Sequence, residues 1–144
     1  MKARELMRRD LTSVEPDTLI HEAIYLMEQA GLSTLPVVDE EGKLVGVITE
    51  HDLIYAALPE YFEMLHSISF LPNLNQIQKR LREMAFKPVS DYMKEALSVH
   101  LDDEDLHIAD LLIRKRLKQI PVVDEEGHLV GVIRRIDILS RLVR

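Results

Sequence analysis

Apolar and polar positions follow two different spacings along this chain. In residues 19–30 the apolar side chains recur every three or four positions, which predicts an amphipathic helix that ends at Gly31. Two short apolar runs follow, residues 35–38 and 44–48, with a polar turn between them, and they predict an antiparallel hairpin. The charged segment that starts at Thr49 then predicts a further helix.

The same order of elements returns in the second half of the chain. Three pairs of residues show a constant offset of 85 positions: Pro36 and Pro121, Gly46 and Gly131, Asp52 and Asp137. A repeat this close predicts two copies of one supersecondary unit that pack against each other. Each copy alone would bury too little surface to be stable, so the 144 residues predict one globular body. We assign residues 1–56 to the first copy, 57–88 to an insertion and 89–144 to the second copy.

The insertion has no counterpart in the repeat and predicts a helix of its own. Its apolar residues fall on one helical face: Leu74, Ile77, Leu81 and Met84. This face predicts a helical cover over the core, with a dimer surface or a groove for a partner as the alternatives. All three phenylalanines, Phe62, Phe70 and Phe86, lie in or next to this insertion, and we expect them to be buried.

Composition and charge exclude several classes of function. The net charge of −7 argues against a DNA-binding protein, and no apolar run is long enough to span a membrane. The chain has no cysteine, so it has neither disulfides nor thiolate metal sites, and its six histidines lack the spacing of a metal motif. We find no pairing of a nucleophile with a base and no phosphate-binding loop. We therefore expect a cytoplasmic protein that is not an enzyme and has no metal and no prosthetic group.

The repeated motifs resemble those of the CBS domain, named after cystathionine β-synthase. The residues that carry the resemblance are the run Pro36–Asp39, the turn glycine Gly42, the run Gly46–Asp52 and their partners 85 positions later. The resemblance covers residues 3–56 and 89–142 and implies an α/β (α+β) fold. In that fold, two tandem β-α-β-β-α repeats pack around a pseudo-two-fold axis.

The resemblance also implies a function. CBS pairs are regulatory or sensor modules that commonly bind AMP, ADP, ATP or S-adenosylmethionine in the cleft between the repeats. Many form flat dimers and regulate an enzyme, channel or transporter. No such domain is present in these 144 residues, so the effector implied here is a separate, unknown protein. The alternative is a module that binds no ligand and serves oligomerisation or protein interaction.

Thr49 and Asp52 match the motif that holds the ribose in this family. A carboxylate can accept hydrogen bonds from both hydroxyls of a cis-diol, and a neighbouring hydroxyl adds a further contact. The alternative role for this pair is to cap the helix that follows. His51 lies inside the motif and either faces the phosphate or is simply exposed.

The second copy departs from the motif, because it keeps Asp137 but has Arg134 at the threonine position. An arginine cannot replace the hydroxyl and could fill the second pocket, so we expect one good site, or one site whose phosphate charge is supplied from across the axis. By resemblance, Lys118 and Arg134 reach the ligand phosphates, with Arg135 a weaker candidate. The alternative for these cations is a solvated helix end.

The same resemblance assigns an adenine slot to Leu11, Thr12, Val14 and Pro36, although each of them could be an ordinary core or turn residue. We expect the motifs of the two copies to lie near each other across one cleft. We also expect a homodimer, formed partly by the helices that begin near Asp52 and Asp137, because both helices are apolar on more than one face. In the alternative, the insertion covers these faces and leaves a monomer.

Overall fold

A computed structural model describes residues 1–59 and 74–144 of the chain. Within these residues the elements follow in the order α1 (Ala3–Leu6), α2 (Ile20–Ala30), β1 (Thr34–Val38), β2 (Leu44–Thr49), α3 (Glu50–Ala57), α4 (Leu74–Met84), β3 (Val99–His100), α5 (Asp105–Arg114), β4 (Gln119–Val123), β5 (Leu129–Arg134) and α6 (Arg135–Val143). None of the helices in the described ranges has the length and apolar content needed to cross a bilayer. Phe62 and Phe70 lie outside the described residues.

Each copy forms a small sheet of the predicted order. β1 and β2 pair as an antiparallel hairpin, and β4 and β5 do the same. The extended segment that precedes the first helix of each copy runs parallel to the hairpin, with Val14 beside Val37 in the first copy and β3 beside β4 in the second. The β-α-β-β-α order implied by the resemblance is therefore confirmed in both copies.

The two sheets meet at equivalent positions. The Leu44 N–H donates to the Gly127 carbonyl and the Leu129 N–H donates to the Gly42 carbonyl, both at 3.0 Å. The Gln119 side-chain amide nitrogen lies 3.4 Å from the Thr34 carbonyl oxygen. The offset of 85 relates Leu44 to Leu129 and Gly42 to Gly127, so the two backbone bonds are equivalent, and a pseudo-two-fold axis runs between the copies.

The segments that begin each copy are exchanged between the two halves. The first lead segment (residues 1–8) places Ala3, Leu6 and Met7 in the core of the second copy. The second lead segment (residues 89–94) places Val89 in the core of the first copy, with Met93 packed against it. Each copy of the motif therefore depends on its partner for part of its own core.

The exchanged segments explain the two strand glycines. A Cβ added to Gly46 would lie 3.0 Å from the Lys94 carbonyl oxygen, and one added to Gly131 would lie 2.5 Å from the Arg8 carbonyl oxygen. These two carbonyls accept hydrogen bonds from Val47 and Val132, respectively, so the lead segments lie as extra strands against β2 and β5. A side chain at either glycine would push the lead segment away.

The insertion helix covers the first copy. Ile77, Leu81 and Met84 of α4 pack on the core that includes Leu53 of α3, as the apolar face predicted. The expectation that the phenylalanines are buried was wrong for Phe86, which is 75% exposed. Phe86 lies beyond the end of α4 at Met84, and the centroid of its ring is 5.5 Å from that of His21.

Candidate functional site

The first motif forms a compact polar group, the Asp52 cluster, made of Thr49, Asp52 and Lys94. The Thr49 hydroxyl donates to Oδ2 of Asp52 at 2.7 Å and accepts from the Asp52 backbone N–H at 3.1 Å. Thr49 therefore caps α3. Lys94 Nζ lies 3.2 Å from the same Oδ2, so Oδ1 of Asp52 has no protein partner among the described residues.

The second motif forms a more closed group, the Asp137 cluster, made of Arg8, Asp10, Thr12, Arg134 and Asp137. Arg8 Nε donates to Oδ1 of Asp137 at 2.6 Å, and the Arg134 backbone N–H donates to Oδ2 at 2.9 Å. Both carboxylate oxygens are engaged, and Asp137 is only 5% exposed. Asp137 therefore links the first turn of α6, to which it belongs, to Arg8 of the first lead segment.

Arg134 fills the space in which a threonine stands in the first copy. Its Nη2 lies 3.7 Å from Oδ2 of Asp10, and its Nε is buried with no hydrogen-bond partner in the described part of the chain. The Thr12 hydroxyl and backbone N–H both donate to Oδ1 of Asp10, at 2.6 and 3.0 Å. These hydrogen bonds, helped by the positive charges of Arg134 and Arg8, hold the pKa of Asp10 below its usual range.

The structure separates the expected adenine slot from the ribose pair. Thr12 belongs to the Asp137 cluster through its hydrogen bonds to Asp10. Val14 pairs with the edge of β1 that faces away from β2, the strand that ends at Thr49. Leu11 is 54% exposed, whereas Val14 and Pro36 are buried in the sheet. The proposed slot therefore adjoins the second motif instead of Asp52.

Among the described residues, the two clusters share no hydrogen bond or ion pair. β2 is flanked by β1 and the second lead segment, and β5 by β4 and the first lead segment. Asp52 and Asp137 each pair with a cation of the lead segment that begins the other copy. The expectation that both motifs lie near each other across one cleft stays a prediction.

The predicted cations take different positions. Lys118 Nζ lies 3.4 Å from Oε1 of Glu50, which brings a charge of the second copy to the first turn of α3, next to Thr49. Arg135 is exposed and its Nε donates to the Leu117 carbonyl at 2.8 Å. His51 is exposed and its ring stacks on that of Tyr55, with 6.2 Å between the centroids.

Sequence reasoning missed the lead-segment cations Arg8 and Lys94, each of which pairs with a motif aspartate. A signal for them was present, because Met7 and Met93 both precede a basic residue. That signal could not be interpreted without the exchange of the lead segments. The local pattern says nothing about which copy a segment pairs with.

A surface groove of about 670 Å³ lies on the helical side of the first copy, between α2, α3 and α4. Its lining includes the apolar side chains of Met27, Leu53 and Leu81 and the charged side chains of Glu50 and Lys118. Thr49 and Asp52 are not among its lining residues. The described part of the chain contains no group of three or more histidine or acidic side chains that could hold a metal ion.

Comparison with known proteins places these features in one family. The CBS domain profile matches residues 3–59 and again residues 89–144. A CBS domain-containing protein of Dictyostelium discoideum is 30% identical over 143 residues, which cover 98% of this chain and 90% of that protein. The inosine-5'-monophosphate dehydrogenase of Methanocaldococcus jannaschii is 33% identical over 141 residues, but this chain spans only 23% of its length.

Solved structures agree with the profile. CBSX2, a CBS-pair protein of Arabidopsis thaliana, has been crystallised in complex with AMP. That structure is 26% identical in sequence and superposes with a TM-score of 0.75 over 99% of this chain and 96% of its own. With two profile matches in tandem and the same fold, the chain belongs to the CBS domain family as a CBS pair.

Proposed function

We propose that this chain is a sensor module that binds an adenosine-containing ligand at the Asp52 cluster and relays the ligand state to a separate effector protein. The observation that carries the proposal is that Oδ1 of Asp52 has no hydrogen-bond partner among residues 1–59 and 74–144, while the side chain is 24% exposed and its other oxygen accepts from the Thr49 hydroxyl. A ribose presents two adjacent hydroxyls, and a carboxylate with an open oxygen is a suitable acceptor for them.

The contrast with the second motif supports a single site. Asp52 has a side-chain exposure of 24%, whereas Asp137 has 7% and both of its oxygens are engaged by Arg8 and the Arg134 backbone. To bind a diol there, a ligand would have to break two charge-assisted hydrogen bonds in a buried place. We therefore propose that Asp137, Arg134 and Thr12 have a structural role.

The family supports the class of ligand. CBSX2 binds AMP in its crystal structure and shares the whole fold with this chain. AMP is accordingly the first ligand to test here, with ADP, ATP and S-adenosylmethionine as the other members of the proposed class. Lys118 is the cation proposed to reach a phosphate, by leaving the exposed carboxylate of Glu50 at little cost.

A thermal-shift panel with AMP, ADP, ATP, S-adenosylmethionine and GMP tests this proposal. A ligand at one hundred times its Kd stabilises the folded state by about 2.7 kcal/mol, which moves the melting temperature by several degrees. We expect a shift with at least one adenosine-containing ligand and none with GMP, the guanine control. No shift with any adenosine-containing ligand at millimolar concentration would reject the proposed function.

A specific observation also favours an assembly function. The two helices of the second copy, α5 and α6, leave large apolar side chains uncovered. The side chains that are more than half exposed include Leu106, Ile113, Leu139, Leu142 and Val143. The corresponding helix of the first copy, α3, is packed against α4. We propose that a second copy of the chain covers the α5–α6 face. The acidic start of α5 and the basic residues at its end would meet across a two-fold axis.

The cytoplasmic location stays a prediction from the sequence.

A further inference from the structure

We infer, given the proposed function above, that Lys94 is a further residue of the ligand site and lowers affinity by competing with the ligand for Asp52. Lys94 Nζ lies 3.2 Å from Oδ2 of Asp52. A carboxylate binds a diol through its acceptor oxygens, and an ammonium bound to the same group withdraws part of that capacity. The ribose hydroxyls must therefore share Asp52 with Lys94 or displace it.

The backbone of Lys94 is fixed while its side chain is free to move. Its N–H donates to the Val47 carbonyl at 3.0 Å, and its carbonyl accepts from the Val47 N–H at 2.9 Å. The side chain is 51% exposed and ends in a single ammonium on a flexible four-carbon stem. It can release Asp52 without any movement of the second lead segment.

The second copy carries the same arrangement with an arginine in place of the lysine. Arg8 is paired with Val132 as Lys94 is with Val47, and its Nε lies 2.6 Å from Oδ1 of Asp137. Both copies of this chain therefore place a cation of the exchanged segment beside the motif aspartate. The lysine contact is longer than the arginine contact and its aspartate is more exposed. Lys94 can therefore release Asp52, whereas Arg8 stays paired with Asp137.

The test measures adenosine affinity by calorimetry, because adenosine has the ribose but no phosphate for a lysine to bind. Lys94→Met removes the competitor, and we expect adenosine to bind about two- to five-fold more tightly, the range of an exposed ion pair. Lys94→Arg copies the arrangement at Arg8 and is expected to bind no more tightly than the wild type. Lys43→Met is the matched control: it removes the same charge from an exposed pair with Glu41, at 3.5 Å, and should leave the affinity unchanged.

The outcomes separate this inference from the proposed function. Unchanged or weaker adenosine binding by a folded Lys94→Met variant, or an equal gain in Lys43→Met, would overturn the competitor role while the wild type still binds. If Lys94→Met weakens AMP binding and leaves adenosine unchanged, Lys94 is a phosphate contact and the competitor role is wrong. If no variant and no wild-type sample binds adenosine or AMP, the proposed function fails, and this inference fails with it.

Discussion

Arg116 shows how a single position differs between the two copies. It has φ of 53°, in the left-handed region, at the position that Gly31 occupies in the first copy with φ of 67°. A residue with a side chain loses about 1–2 kcal/mol in this conformation. We therefore expect Arg116→Gly to raise the free energy of unfolding by about 0.5–1 kcal/mol, since the glycine also gains freedom in the unfolded chain.

Urea denaturation measures this effect, with Gly31→Ala as the matched change in the other copy. Gly31→Ala should lower the free energy of unfolding by about 1 kcal/mol, because alanine would be forced into the same conformation. A loss of stability in Arg116→Gly would show that the arginine side chain stabilises the turn by more than its backbone strain costs.

Asp10 gives a dependence of stability on pH. Its pKa is lowered by the hydrogen bonds from Thr12 and by the nearby charge of Arg134. A carboxylate with a lowered pKa contributes stability above its unfolded pKa of about 3.9, and that contribution is lost as pH falls through the folded value. We expect Asp10→Asn to be less stable than the wild type at pH 7 and to lose less stability between pH 5 and pH 2.

Thermal melts across this pH range test the point. Asp17→Asn makes the same change of charge at an exposed turn residue and serves as the control. If the melting temperatures of Asp10→Asn and the wild type differed by the same amount at every pH, the role given to Asp10 would be wrong.

The exchanged lead segments make a prediction at the scale of whole elements. The added Cβ comes closer to a backbone oxygen at Gly131, 2.5 Å, than at Gly46, 3.0 Å. Gly131→Ala should therefore lower the free energy of unfolding by about 1–3 kcal/mol, and Gly46→Ala by less. In Gly131→Ala, the backbone amides of Arg8 and Val132 should exchange their hydrogens faster than in the wild type. Equal, small effects of both variants would mean that the lead segments adjust freely.

The elements of both copies could be predicted from the sequence, but the exchange could not. The apolar spacing of α2, the turn glycine Gly42 and the strand run of β4 are local signals, and each held in the structure. The pairing of Lys94 with Val47 joins residues that are far apart in sequence, and no local pattern records which partner a strand edge selects. For that reason Thr49 and Asp52 could be found as a pair, while Arg8 and Lys94 could not.

Among the described helices, α5 and α6 expose more large apolar side chains than α2 and α3, on which Tyr25 and Ile54 are also more than half exposed. Because the α5–α6 face is uncovered, we expect a homodimer with a mass of about twice the 16.6 kDa of one chain. Leu139→Asp, on a side chain that is 61% exposed, should shift the dimer to the monomer by placing a charge in the apolar interface. Sedimentation equilibrium at micromolar concentration measures the mass.

Phe86→Asp is the control for this experiment, since Phe86 is also exposed but lies away from α5 and α6. It should leave the mass of the dimer unchanged. A wild-type mass near 16.6 kDa, or the same loss of mass in both variants, would reject the α5–α6 interface.

The asymmetry between the two motifs is the central claim about the whole molecule. Calorimetric titration with AMP of the wild type, Asp52→Asn and Asp137→Asn tests it most directly, with circular dichroism to confirm that each variant is folded. We predict one AMP per chain, a loss of about 1.5–3 kcal/mol of binding free energy in Asp52→Asn, and near wild-type binding in Asp137→Asn. Two equivalent sites per chain, or equal losses in the two variants, would contradict the account.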